Sequence, residues 1–335
     1  MANRVSNAPD HSQLRDALTA SAALCPLEWN EQRSAVLFGR FGEAAYREVS
    51  FFDQRATAAA ERTGVVPWAM AEPWLVDLPK RCDFIFHVSH CGSTLLSRLL
   101  GTDDTCLPVR EPGILRGLTA RDPTSRFDAT LGLLSRTFHP HQRSLIKATS
   151  VVNAVAEQLL SRATDARAAL VFVPAETFLA SVLDGSMSDI EAHAESRWQR
   201  LQALGVTPDA ATPASPGEHA AAAWLCEMRS LERVAGIFPE RTRWVNFNTF
   251  LEQPDVVLSG MADFFRLSLD ASAALAGPIM HRYAKQPGVR YDADSREALL
   301  TTARQSHATD IQAGLAWLAA AGWQPPLPAT LPSVA

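Results

Sequence analysis

From residue 83 onward, short apolar runs bounded by turn residues alternate with stretches of helical period. "DFIFHV" predicts a strand over 84–88, and "STLLSRLL" after the small-residue turn predicts a helix over 93–100. "CLPVREPGILRGL" reads as a short strand, a turn at Glu111-Pro112 and a helix. "RSLIKATS" gives a strand over 145–146 that ends on Lys147, followed by the helix "VVNAVAEQLLSRA". The strand "AALVFV", the helix "AETFLASVLDG", the strand and turn "TRWVNFNTFL" and the helix "QPDVVLSGMADFFRL" continue the order. Such β-α-β alternation predicts a three-layer α/β sandwich with a central, mainly parallel sheet. Before residue 80 the pattern is weaker. Alternation in "SAVLFGRFGEAAYREVSFF" suggests a hairpin, inside a segment expected to be mostly helical and packed on the main domain.

The expected organisation is therefore an N-terminal segment over 1–80, a main domain over 81–325 and a proline-rich tail over 326–335. Residues 206–217 read as a surface loop between two helices. Trp198, Trp224, Phe264 and Phe265 fall on apolar helix faces and are expected in the core.

Composition adds limits. The chain of 335 residues is 47% hydrophobic and 20% charged, ordinary for a globular enzyme. A net charge of −5 speaks against a nucleic-acid-binding surface, while a local basic pocket remains compatible with it. The bias of arginine over lysine fits a GC-rich bacterial genome, and Lys80, Lys147 and Lys285 are the only lysines. Five cysteines without metal-like spacing read as reduced thiols, the N-terminus lacks an apolar signal core, and no apolar run suggests a membrane span. A cytoplasmic protein is expected. His139, His141 and His193 show no metal-ligand spacing and are expected on the surface or in loops.

"DFIFHVSHCGSTLLSRLLG" holds the candidate chemistry. A strand, a small-residue turn and a helix N-terminus form the arrangement by which backbone N–H groups cradle phosphate. A Walker A loop would place lysine after its last glycine, but Gly92 is followed by Ser93 and Thr94.

The ordered segments resemble the sulfotransferases that use 3′-phosphoadenosine 5′-phosphosulfate. "HVSHCGSTLLSRLL" is similar to that family's phosphosulfate loop, a strand followed by [KR]-S-G-T-T-[LW]-L. "IKATSVVNAVAEQLLSRATDARAALVFVPAETFLASVL" resembles its strand ending in lysine, helix, and strand-R-x-P-x-x-x-x-x-S. "RTRWVNFNTFLEQPDVVLSGMADFFRLSL" resembles its strand, Y-E-D-L turn and following helix. The resemblance spans roughly residues 83–270. It implies a P-loop-like fold and sulfuryl transfer to a hydroxyl or amine acceptor, with the nucleotide donor as co-substrate and no metal. It further implies that His90, Cys91, Gly92, Ser93, Thr94 and Ser97 cradle the 5′ phosphosulfate, His90 supplying charge where the family has lysine or arginine. Lys147 would stand beside the transferring group. Thr149 occupies the place of a common histidine base, leaving Glu111 as the candidate base. Arg110 and Arg116 read as acceptor contacts or surface charges.

Two departures stand out. Ser181 matches the serine of the 3′-phosphate clamp, but Val173 falls where arginine is expected, and Pro174 lies one place early. "RYAKQPGVR" offers Arg282, Lys285, Gly288 and Arg290 as a loose counterpart of the second clamp, with Lys285 and Arg290 as its candidate ligands. The alternatives are a sulfotransferase-fold protein with altered donor or lost catalysis, serving as a binding module, and a P-loop kinase. The resemblance implies an acceptor pocket built from residues 20–80 and 185–220, and the sequence is silent on the acceptor's identity and on oligomeric state.

Overall fold

The computed structural model describes residues 11–185, 187–206, 212–281 and 293–323. Near the N-terminus, β1 (Leu24–Asn30), β2 (Ala35–Arg40) and β3 (Arg62–Pro67) form an antiparallel sheet in the order β1-β2-β3. Helices His11–Ala20, Glu43–Glu48 and Trp68–Leu75 accompany it. The expected hairpin is thus part of a three-stranded sheet, and the segment is less helical than its composition suggests. β3, "RTGVVP", is exposed at five of six positions and shows no alternation. Its pairing with β2, whose positions are mostly buried, is what makes it a strand.

The main sheet comprises β4 (Cys82–His87), β5 (Cys106–Arg110), β6 (Arg143–Lys147), β7 (Ala168–Phe172) and β8 (Thr242–Asn246). All pairings are parallel, and the order is β5-β6-β4-β7-β8. Every residue of β4, β5 and β7 is buried, as expected of strands covered on both faces. The crossover from β4 to β5 and that from β6 to β7 run in opposite directions across the sheet. Right-handed crossovers then place their helices, Ser93–Leu100 and Ala156–Arg162, on opposite faces. Ligands of such sheets bind beyond the carboxyl ends of the strands, where the winding direction reverses, and here that point is β4. Trp224, Phe264 and Phe265 are buried, and Trp198 packs half-buried against the same core.

The two sheets are joined at β5. Arg110 is wholly buried and donates to the carbonyls of Tyr46, Arg47 and Val49, satisfying the C-terminal end of helix Glu43–Glu48. Its sequence reading as an acceptor contact or surface charge is corrected by this burial. The 3-10 helix Gly113–Gly117 lies flush against β1, because a Cβ at Gly113 would meet Leu27 O at 2.1 Å.

Candidate functional site

At the carboxyl edge of the main sheet, a cavity of about 960 Å3 collects residues from the loops and helices that follow the five strands. Its size suits a nucleotide together with a small second ligand. No helix among the described residues is long and apolar enough to cross a membrane. Among them, likewise, no cluster of His, Cys, Asp and Glu side chains is arranged to hold a metal ion.

The loop after β4 forms the cavity floor. Ser89, His90 and Gly92 adopt left-handed φ angles of 73°, 47° and 69°. Left-handed residues in such turns build concave rows of N–H groups that bind anions. Each non-glycine residue in this region costs about 1–3 kcal/mol, so two within a short turn mark a site where strain is tolerated for use. Helix Ser93–Leu100 begins here without a side-chain cap, leaving N–H groups and the positive dipole end for an anion. Gly92 is doubly required, by its φ and because a Cβ would lie 2.0 Å from the Phe247 ring.

Two strand ends set the charged centre. Arg110 and Lys147 are register partners on β5 and β6, so the next residue, Glu111, emerges beside Lys147. The Glu111 N–H donates to Lys147 O at 2.6 Å, and a φ of 48° turns the chain there. Lys147 Nζ, only 1% exposed, donates to Glu111 Oε1 at 2.5 Å. Burial pushes the Glu111 carboxyl up, but the charge and hydrogen bond of Lys147, with Arg116 and Arg55, outweigh it and hold the carboxyl below its ordinary value. Glu111 is therefore ionised at neutral pH. Beyond it, Arg116 Nη2 lies 3.8 Å from Glu111 Oε2 and 3.6 Å from Asp53 Oδ2, while Arg55 chelates Asp53.

Behind the loop, His87 Nδ1 accepts from the Ser89 N–H at 2.9 Å, which assigns the ring proton to Nε2. Burial, then the charge of Lys147, depresses the His87 pKa far below its usual value despite the Ala148 backbone nearby. His87 is thus a neutral support for the turn. Its carbonyl accepts from Asn153, which also donates to Glu227; Glu227 in turn pairs with Arg197 and Arg200.

Of the sequence candidates, His90, Cys91, Gly92, Ser93, Thr94, Glu111, Lys147 and Ser181 all line this cavity. The His90 ring also sits edge-on to Phe178. Ser97 does not line it, lying wholly buried one turn further along the helix. The Cys91 thiol faces inward, donating to Val171 O, and burial pushes its pKa up to about 11, so only the backbone of this residue serves the loop. Val173 is fully buried with its carbonyl accepting from Trp224 Nε1, and it is not part of the cavity wall. Lys285 and Arg290, with Arg282 and Gly288, lie outside the described residues.

Several cavity residues were not singled out from the sequence, Asp53 and Arg296 among them. His193, expected on the surface or in a loop, lies in the turn between helices Ser188–Ala192 and Ala194–Ala203, half-buried in the cavity wall next to Arg197. Asp53 comes from the N-terminal segment, where nothing in the local pattern signals a site. Arg296 reaches the cavity from helix Ala293–Ser306. It donates to Asn248 Oδ1 at 2.9 Å, with its guanidinium 5.6 Å from the Phe247 ring that covers Gly92. A cation therefore stands one aromatic ring away from the loop after β4, about 200 residues away along the sequence.

Fold and site together define a parallel α/β sandwich in which a lysine-free, left-handed turn after β4 opens beside a buried lysine–glutamate pair. No protein-family model matches the chain, and no curated protein matches it. Three similar solved structures are all sulfotransferases. The sulfotransferase domain from the curacin biosynthetic pathway is 15% identical over 72% of this chain and 98% of that chain, with a TM-score of 0.39. A sulfotransferase from Alicyclobacillus acidocaldarius is 16% identical over 71% and 98%, with a TM-score of 0.38. A sulfotransferase from Mycobacterium tuberculosis H37Rv is 15% identical over 72% and 80%, with a TM-score of 0.43. At these scores, function is read from the site itself.

Proposed function

We propose that this chain transfers a sulfuryl group from 3′-phosphoadenosine 5′-phosphosulfate to a hydroxyl or amine acceptor. The observation that carries the reading is the Lys147–Glu111 pair, 2.5 Å apart and beside a phosphate loop that has no lysine of its own. The donor contributes the sulfuryl group and a phosphate leaving group. Sulfuryl transfer, like phosphoryl transfer, is in-line displacement through a loose transition state, where positioning and charge stabilisation dominate. The N–H groups at Gly92, Ser93 and Thr94, with the two hydroxyls, hold the 5′ phosphosulfate at the helix N-terminus. Lys147 stabilises negative charge building on the leaving oxygen, a charge that grows only in the transition state. Glu111, ionised, accepts the acceptor proton as its oxygen or nitrogen bonds to sulfur. The bridging S–O bond breaks, and 3′,5′-adenosine diphosphate leaves. Arg296 and Ser181 are the cavity groups placed to meet the nucleotide's second phosphate.

Calorimetry with 3′,5′-adenosine diphosphate tests the donor half. Saturable binding is expected, and no heat at millimolar nucleotide would sink the assignment. In a transfer assay, Glu111→Ala is expected to lower turnover by ~10²–10⁴-fold. Unchanged turnover in both Glu111→Ala and Lys147→Ala would remove the pair from catalysis. Magnesium-dependent ATP binding in place of the adenosine diphosphate would point to a kinase.

A further inference from the structure

We propose that the acceptor carries a carboxylate, and that Arg116 is the side chain that binds it. Beside Glu111 the cavity holds one guanidinium whose donors are open. Asp53 is already chelated by Arg55, with Nε–Oδ1 at 2.9 Å and Nη2–Oδ2 at 2.5 Å. Glu111 is already taken by Lys147 at 2.5 Å. Each carboxylate thus has its own close cation, and Arg116 keeps only longer contacts to the two. It stands 3.6 Å from Asp53 and 3.8 Å from Glu111, beyond hydrogen-bond range, and no hydrogen bond to its guanidinium is found among the described residues. Its side chain is 45% exposed and lines the cavity. Glu28 and Asp189 also line the cavity, and neither comes within 4.0 Å of Arg116 as an ion pair among the described residues.

The backbone that carries Arg116 is fixed. Gly113 and Gly117 press the 3-10 helix against β1, where a Cβ at Gly117 would meet Trp29 at 2.8 Å, and Arg126 Nη2 donates to Gly117 O at 2.7 Å. A guanidinium with open donors on a rigid support suits a carboxylate, which it can grip through two parallel hydrogen bonds. Because Arg116 Nη2 and Glu111 Oε2 are 3.8 Å apart, a molecule held by both presents its nucleophile to Glu111 while its carboxylate sits on Arg116. Small hydroxy or amino acids fit this span.

The orientation of the nucleophile rests on the sulfuryl-transfer reading; the anion site does not. Calorimetry on the full chain separates them. Two matched pairs serve as probes, 3-hydroxybutyrate against 1,3-butanediol and 4-hydroxyphenylacetate against 4-hydroxyphenethyl alcohol, each with and without 3′,5′-adenosine diphosphate. The acids are expected to bind ~10–100-fold more tightly than the alcohols, the range for hydrogen bonds to a charged group. Arg116→Gln should abolish that preference with the unfolding midpoint unchanged, and Arg116→Lys should restore part of it. Equal binding of acid and alcohol, an acid preference that survives Arg116→Gln, or no binding of any probe would overturn the proposal. An acid preference that needs Arg116 in a protein that ignores the nucleotide would sink sulfuryl transfer and leave the anion site standing.

Discussion

Replacing Gly92 with alanine tests the phosphate loop most directly, because two separate penalties meet at one atom. The first is conformational: φ at Gly92 is 69°, and an L-residue there costs about 1–2 kcal/mol. The second is steric: the new Cβ would lie 2.0–2.3 Å from three carbons of the Phe247 ring, an overpacking that costs about 1–3 kcal/mol. Together they predict a loss of ~2–5 kcal/mol, and for a chain this long an unfolding midpoint lowered by about 3–7 °C. The penalties separate in a double-mutant cycle with Phe247→Leu, which shortens the blocking ring. Gly92→Ala in the Phe247→Leu background should regain the steric part and keep the conformational part. Urea denaturation of the four proteins gives the coupling energy, and nucleotide calorimetry reports whether the loop's N–H groups have moved. A Gly92→Ala protein as stable as the parent, or a coupling energy near zero, would show that the Phe247 ring does not cover the loop.

The neutral state of His87 makes stability depend on pH in a known direction. Its folded pKa is depressed, so below the ordinary imidazole value of about 6.5 the unfolded chain binds a proton that the folded chain refuses. This contribution is complete above 6.5 and shrinks as pH falls, so urea midpoints should decline from pH 7 to 5, and less steeply in His87→Gln; parallel declines would count against it. All five cysteines are buried, with pKa values pushed up to about 12 for Cys25, Cys82, Cys106 and Cys226. A thiol-specific chromogen should therefore find five thiols in guanidinium and essentially none within minutes in the folded protein; rapid reaction of even one would contradict the packing.

Much of the sheet was legible because its strands are short apolar runs with turn residues at both ends. The phosphate-loop helix begins and ends where "STLLSRLL" does. The N-terminal sheet was harder to see, since β3 is largely exposed and gains its conformation from β2 rather than from its own pattern. Within the site, residues next to strand ends could be found from the sequence, because parallel strands deliver their following residues to one edge. Lys147 and Glu111 are of this kind. Asp53 and Arg296 are not, since each reaches the cavity through packing between segments distant in sequence. At Val173, where the resemblance expects an arginine, the side chain belongs to the core and stays out of the cavity wall.

Arg110 bears on whether the chain can be divided. It belongs to the main sheet by pairing and to the N-terminal segment by its hydrogen bonds. Cutting the protein between the two sheets would leave a fully interior cation without its carbonyl acceptors, at a cost of several kcal/mol. The main sheet is therefore not expected to fold by itself, and the segment that brings Asp53 and Arg55 to the cavity is inherited together with the strands that carry Lys147 and Glu111.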